Sequence, residues 1–133
     1  MALKQTVLLK ADLREANLRG ASFELAILIE AKLAGQSLRG QKFTLTQFMD
    51  ADLEQCDFSG ADLTQCNFTG ANLRRARLEG ATANNALFIE ARLDDANLSR
   101  AKLYQSLFVD AHLANADFSG ADMQQCILTG TNC

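Results

Sequence analysis

A strict five-residue period runs along this chain from Thr6 to Gly130 without insertion or deletion, giving 25 consecutive blocks. The middle residue of each block, which we call the centre, is Leu in 15 blocks and Phe in eight, and the other two centres are Ala83 and Met123. The first residue of a block is Ala in 17 of the 25, and the fifth position holds all eight Gly of the chain. A fixed internal period of this kind constrains the fold before any single element is considered.

A period of five does not fit a continuous helix or a continuous strand. On a helix, successive centres would rotate by about 140° and scatter around the axis. On a strand, an odd period would send successive centres to opposite faces. The pattern is coherent only if the backbone turns once per block, and Gly in the fifth position suits the positive-φ residue of a type II turn. We therefore predict that each block is one short extended side of a coil, and that the sides stack into parallel ladders.

The blocks ADLRE, ANLRG, ADLEQ, CDFSG and ADLTQ resemble the motif A-(D/N)-L-x-x of the pentapeptide-repeat proteins. The resemblance implies an all-β fold, a right-handed quadrilateral parallel β-helix with four five-residue sides in each coil and about six coils. It implies a single domain over residues 1–133, with repeats over 6–130. Large centres are expected to stack along the axis, among them the following core centres: Leu13, Leu18, Phe23, Phe43, Phe48, Phe58, Phe68, Phe88, Phe108 and Phe118.

One face of this coil has an unusual outer surface. It contains residues 6–10 and every block 20 residues further on, and we call it face 1. Positions flanking a centre point outwards, and on face 1 ten of these fourteen are large and apolar: Val7, Leu9, Ile27, Ile29, Met49, Leu87, Ile89, Leu107, Val109 and Ile127. High β-propensity would favour such residues on all four faces alike. An exposed apolar column is typical of an interaction surface, so we expect face 1 to bind a protein partner or a second copy of the chain.

Two features of face 1 bear on how a second copy would bind. Asn67 and Thr69 interrupt the apolar column at its middle rung, so a two-fold axis near Phe68 would pack two rods antiparallel. An acidic rim lines one edge and would exclude wrong partners or attract basic ones: Glu30, Asp50, Glu90 and Asp110. The family resemblance offers a different route to a dimer, the stacking of C-terminal coils, at the end where Cys133 falls at a centre position.

Three successive blocks depart from the motif at the small inward position. Gln36, Gln41 and Thr46 stand there in place of Ala. Buried polar atoms must find hydrogen-bond partners or distort the coil. Because nothing is inserted in the chain at this point, we predict a local bulge.

Chemistry-bearing residues are sparse and scattered. All four Cys are assigned to inward slots, too far apart for disulfides, and are interpreted as small buried hydrophobes. His112 stands alone on a polar face, which gives no support for a zinc site. No catalytic Ser-His-Asp or Cys-His arrangement can be assembled on the coil. We expect no enzyme activity, no metal, no cofactor and no small-molecule substrate.

Net charge and the distribution of apolar residues limit the kinds of partner and the cellular location that we expect. A net charge of −3 lacks the basic footprint of a nucleic-acid-binding protein. No apolar run approaches the roughly 18 residues of a membrane-spanning helix. The beginning of the chain does not resemble a signal peptide, so a cytoplasmic protein is expected, with secretion as an effector left open. Acidic flanks on the apolar face do not favour binding to anionic membranes.

These observations favour a non-enzymatic interaction or scaffold module that acts, and self-associates, through face 1. The family resemblance supplies two alternatives. The first is a DNA-mimicking binder of DNA gyrase or topoisomerase, like the quinolone-resistance members. A net charge of −3 produces only a weak electrostatic field for that role. The second is a bacterial effector or regulatory protein.

Overall fold

The computed structural model describes residues 2–133, and within that range it contains no helix and no continuous strand. Pairing occurs instead through single-residue parallel bridges between the second positions of blocks 20 residues apart, from Ala2–Ser22 to His112–Asn132. This spacing confirms a coil of 20 residues with four sides, the right-handed quadrilateral β-helix predicted from the repeat. Beside face 1, the blocks 11–15, 16–20 and 21–25 begin faces 2, 3 and 4.

The corner of each block is a tight turn. The N–H of the first residue of a block donates to the carbonyl of the preceding centre, as Ala26 does to Phe23 at 2.8 Å. Every fifth-position residue from Gln5 to Gly130 except Glu15 has a φ between +56° and +78°. This left-handed conformation explains why Gly collects at the fifth position.

Asp and Asn at the second position stabilise these turns. Their side-chain oxygens accept the backbone N–H two residues further on, as Asp57 accepts that of Ser59 at 3.0 Å and Asn97 that of Ser99 at 2.9 Å. Such Asx turns are a local alternative to backbone pairing. They account for the D/N of the repeat motif.

The core is a column of aromatic rings surrounded by Leu and Ala. Under face 1, Phe48, Phe68, Phe88 and Phe108 stack with ring centroids 5.1, 5.0 and 4.7 Å apart and planes within 8° of parallel. Each of these rings is completely buried. Offset stacking of this kind adds to the stabilisation that burial itself provides.

Eight of the ten predicted core centres are buried, and the other two need correction. Leu13 and Phe118 are only partly buried and pack against the edge of the core, because they belong to the outer coils. The inward assignment of all four Cys is also wrong for Cys133, which is exposed at the end of the chain. Cys56 and Cys66 are buried and Cys126 is partly buried, and all four thiols are free.

Polar residues in the inward slot follow one rule. Apart from Thr6 and Thr131 at the ends of the coil, each donates to the carbonyl of the centre 23 residues earlier, one coil below. Thr46 Oγ1 donates to Phe23 O at 2.7 Å, and Ser106 Oγ donates to Ala83 O at 2.6 Å. The thiols of Cys56, Cys66 and Cys126 make the same contact at 2.9 to 3.0 Å. A small donor therefore satisfies itself without disturbing the coil.

Gln36 and Gln41 obey the same rule with a longer side chain. Gln36 Nε2 donates to Leu13 O at 2.7 Å, and Gln41 Nε2 donates to Leu18 O at 3.0 Å. Gln36 Nε2 also reaches Ala16 O at 2.9 Å. A glutamine amide lies two atoms further from its backbone than a serine hydroxyl, so these bonds hold the two coils apart.

The backbone ladder is open beside these glutamines, on face 3 between the first coil and the second. None of the three regular hydrogen bonds forms between residues 16–20 and 36–40, and the N–H groups of Leu18, Gly20 and Ser37 have no backbone acceptor. The predicted distortion is present beside Gln36 and Gln41 and absent at Thr46, where the ladder bonds are intact. Its cause is the side chain that takes the place of a ladder bond.

Candidate functional site

Face 1 carries its apolar side chains in one continuous ladder. Parallel bridges link its second positions in order: Val7, Ile27, Gln47, Asn67, Leu87, Leu107 and Ile127. Val7 and Leu9 are 58% and 57% exposed, and Ile127 is 47% exposed. The other seven predicted interface residues are half-buried because their neighbours in the column cover them: Ile27, Ile29, Met49, Leu87, Ile89, Leu107 and Val109. The structure therefore places all ten on one surface, outside the aromatic column.

The apolar residues of face 1 replace the side chains that stabilise turns elsewhere. Ten Asx turns occur within residues 2–133, and nine of them lie on the other three faces. On face 1 only Asn67 makes one, to the N–H of Thr69 at 2.9 Å. Each apolar residue in the second position thus gives up a hydrogen bond worth about 1 kcal/mol.

Two exposed leucines extend this surface around a corner and were not predicted. Leu25 and Leu45 occupy the fifth position at the corner between faces 4 and 1, and are 47% and 39% exposed. Their φ values are +60° and +61°, a conformation that costs a bulky residue free energy. The signal was present in the sequence, since these are the only two apolar residues at the fifth position between 5 and 130.

The acidic rim lies at the opposite corner, between faces 1 and 2. Glu30, Asp50, Glu90 and Asp110 are all exposed, and Glu30 forms an ion pair with Lys10 at 3.6 Å. Face 1 is therefore asymmetric across its width. One edge is acidic, and the other is apolar or uncharged.

The residues with reactive side chains are dispersed over the part of the chain that the structure describes. Within 2–133 there is no group of three or more His, Cys, Asp or Glu able to hold a metal ion. Burial raises the pKa of the Cys56 thiol to about 12 and also raises that of Cys66, so both thiols are protonated and unreactive. His112 is exposed on face 2.

The C-terminal end of the coil bears a second apolar depression. It has a volume of about 360 Å³ and is lined by Phe118, Met123, Leu128 and Cys133, among others. Leu128 is 42% exposed. This is the location that the end-stacking prediction requires.

Residues 2–133 include no helix with the length and apolarity needed to cross a membrane.

Comparison with known proteins bears on the fold. The family model for pentapeptide repeats matches this chain in eight copies, over residues 6–44, 46–82, 71–108 and 91–130. Two solved structures of trypsin-treated variants of QnrB1, a plasmid-mediated fluoroquinolone resistance protein, are similar in fold. They superpose with TM-scores of 0.69 and 0.66 at 16% sequence identity. The alignments cover 98% and 99% of this chain and 80% and 82% of the other. No curated protein sequence matches this chain.

Proposed function

Because this chain belongs to the pentapeptide-repeat family and carries an apolar ladder on one outer face, we propose that it is a non-enzymatic protein–protein interaction module. Face 1 is its binding surface. The observation that carries the proposal is the loss of Asx turns on face 1, where six of the seven second positions hold residues that cannot cap the turn. Apolar side chains on an outer surface, at positions where a polar residue would stabilise the turn, are typical of a binding site.

The difference between the acidic edge and the uncharged edge of face 1 indicates what kind of partner would fit it. Its apolar centre suits an apolar ridge, and its acidic rim suits Lys or Arg along one side of that ridge. Leu25 and Leu45 widen the apolar area along the other side. We therefore propose a partner protein with an apolar strip and a row of basic residues along one edge of it.

A second copy of the chain is the other candidate, and the interruption at Asn67 gives face 1 the near-symmetry that a two-fold contact needs. An antiparallel pair related by an axis across the face brings like edges together. Glu30 would then lie opposite Asp110 of the second copy, and Asp50 opposite Glu90. Repulsion between these carboxylates opposes such a dimer at low salt.

Salt distinguishes the two occupants. Binding of a partner with a basic edge weakens as ionic strength rises, since screening removes its attraction to the acidic rim. Antiparallel self-association strengthens instead, because screening removes the repulsion. Light scattering and sedimentation velocity of the purified chain across a salt series measure self-association, and affinity capture across the same salt series measures binding of a partner.

The DNA-mimic alternative has less support. It requires a strongly negative surface, yet the net charge is −3 and six ion pairs neutralise acids of the described residues. Similarity to QnrB1 at 16% identity supports the common fold and no shared target. A gyrase supercoiling assay with a quinolone tests the alternative, and an effect at micromolar protein would favour it over binding through face 1. An effector or regulatory role is compatible with binding through face 1 and with binding through a DNA-mimicking surface.

A further inference from the structure

The open ladder on face 3 creates a cleft that the proposed function does not use. The cleft has a volume of about 810 Å³ and lies between residues 16–20 and 36–40. That volume falls in the usual range of ligand sites. Faces 3 and 1 are opposite sides of the coil, so the cleft and the apolar ladder are independent surfaces.

The cleft exposes backbone donors that a closed coil would consume. Among residues 2–133, the missing ladder bonds are five and contiguous, and they involve the N–H groups of Glu15, Leu18, Gly20, Ser37 and Lys42. Three of these belong to the two blocks that border the cleft. The carbonyls of Ser37 and Arg39 across the gap are unpaired as well. The N–H groups are oriented partial positive charges, and such donors at a sheet edge can bind an anion.

Two arginines stand at the same position of the two blocks, one on each side of the opening. Arg19 and Arg39 both line the cleft and are both exposed. Arg39 Nη1 contacts Asp57 Oδ2 at 3.0 Å, which leaves the rest of its guanidinium for another acceptor. The guanidinium of Arg19 has no hydrogen-bond or ion-pair partner within 2–133. Guanidinium groups and free N–H groups are the donors that carboxylate and phosphate oxygens accept from.

Gln41 adds a further unsatisfied group to the lining. Its Nε2 donates to Leu18 O at 3.0 Å, but its Oε1 is buried and has no partner. A buried amide oxygen without a donor is costly.

The corners of the cleft are open. Gly20 and Gly40 have φ values of +71° and +66°, and a Cβ added at either would meet no atom within 4 Å. A ligand can therefore approach the backbone closely at both positions.

We propose that this cleft binds an oxyanion, a carboxylate or phosphate group carried by a larger ligand. Arg19 and Arg39 bind its charge from either side of the opening. The N–H groups of Leu18, Gly20 and Ser37 donate to its oxygens. The glutamines hold the coils apart, and they thereby create the cleft at the expense of the backbone ladder.

The test is a titration of the ¹⁵N-labelled chain followed by NMR, with inorganic phosphate and acetate as separate probes. We expect saturable shifts at the amides of Leu18, Gly20 and Ser37. Saturation by phosphate alone identifies a phosphoryl ligand, and saturation by acetate alone identifies a carboxylate. Shifts that rise linearly with either anion up to on the order of 50 mM, a concentration at which even weak specific sites begin to fill, would overturn the proposal.

Variants separate the cleft from general surface charge. Arg19→Gln with Arg39→Gln should weaken binding at least tenfold. Arg77→Gln with Arg92→Gln is the matched control, since both are exposed arginines where the ladder is intact, and this variant, which also removes two charges, should leave binding unchanged. Equal losses in both variants would show non-specific attraction and contradict the site.

Closing the cleft while keeping both arginines is the sharper variant. Gln36→Ser with Gln41→Ser retains a donor to the same carbonyls at the length that Ser106 uses. Hydrogen exchange at Leu18 and Ser37 shows whether the ladder has formed. With the ladder formed, binding should be lost; if it persists, the cleft is not the site. The arginine variants test the proposal independently if the ladder stays open. None of these outcomes bears on binding through face 1.

Discussion

Asn67 accepts a hydrogen bond from the backbone N–H of Thr69 at 2.9 Å, and it is the one residue of face 1 whose side chain caps its own turn. One rung above, Leu87 occupies the equivalent position in the same ladder and cannot accept such a bond. The two residues show the alternatives open to each rung. A rung can stabilise its turn, or it can present an apolar side chain.

Leu87→Asn should convert an apolar rung to a capped one. The new amide oxygen accepts the N–H of Ile89, so the free energy of unfolding should rise by up to about 1 kcal/mol. Urea denaturation measures this change. Binding through face 1 should weaken in the same variant. A large loss of stability would show that Leu87 serves the fold and not the binding surface.

The corner leucines should show the same division between stability and binding. Asn tolerates the left-handed conformation better than Leu does, as Asn85 and Asn115 illustrate with φ values of +58° and +60°. Leu25→Asn with Leu45→Asn should therefore raise the free energy of unfolding by about 0.5–1 kcal/mol. Thermal denaturation with a matched Gln65→Asn control measures the effect. Destabilisation by the leucine variants alone would assign these residues a packing role.

Residues on either side of the backbone of face 1 should differ sharply in their contribution to stability. Phe88 is completely buried between the rings of Phe68 and Phe108, and Phe88→Ala should cost about 3–5 kcal/mol. Its half-buried neighbour Ile89 faces outwards, and Ile89→Ala should cost less than about 1 kcal/mol. Denaturant unfolding of the two variants measures the ratio. Comparable losses would mean that face 1 is part of the core.

The thiols should react in the order of their exposure. Cys133 is exposed and should react quickly with a thiol reagent at pH 8. Cys56 and Cys66 should react only on unfolding, because burial raises their pKa values, that of Cys56 from 9.0 to about 12.

The folded state holds the protons of these two thiols more tightly than the unfolded state does. Stability should therefore be unaffected by these thiols below pH 9 and should fall as pH rises towards 12.

Mass spectrometry of labelled peptides identifies which cysteines have reacted, and unfolding at several pH values measures the slope. Cys56→Ala should reduce that slope. Rapid labelling of Cys66 in the native protein would contradict its burial.

The turns and the core could be predicted from the sequence because each depends on residues within one block, whereas the number of sides in a coil came from the family resemblance. The centres and the positive-φ fifth position repeat along the chain, and local sterics determine them. The consequence of Gln36 and Gln41 was only partly predictable. Their extra length was visible, but which hydrogen bonds they would displace depends on the coil below.

The width of face 1 was missed for a related reason. Leu25 and Leu45 stand in the turn position, where the pattern predicts conformation and not exposure. The sequence places them directly before two blocks of face 1, but only the packed coil shows how far they are exposed. The partial exposure of Leu13 and Phe118 likewise depends on how many coils cover them, which the block pattern does not encode.

The central claim, that face 1 is the binding surface, is tested most directly by two matched double variants. Ile29→Asp with Ile89→Asp adds two charges to face 1, and Ala34→Asp with Ala114→Asp adds the same charges at the equivalent turn position of face 2. Light scattering for self-association and cross-linked affinity capture for a partner are compared with the unsubstituted chain. We expect the face 1 variant to lose the association while remaining folded, and the face 2 variant to retain it. Association that survives in the face 1 variant, or is lost equally in both, would contradict the claim.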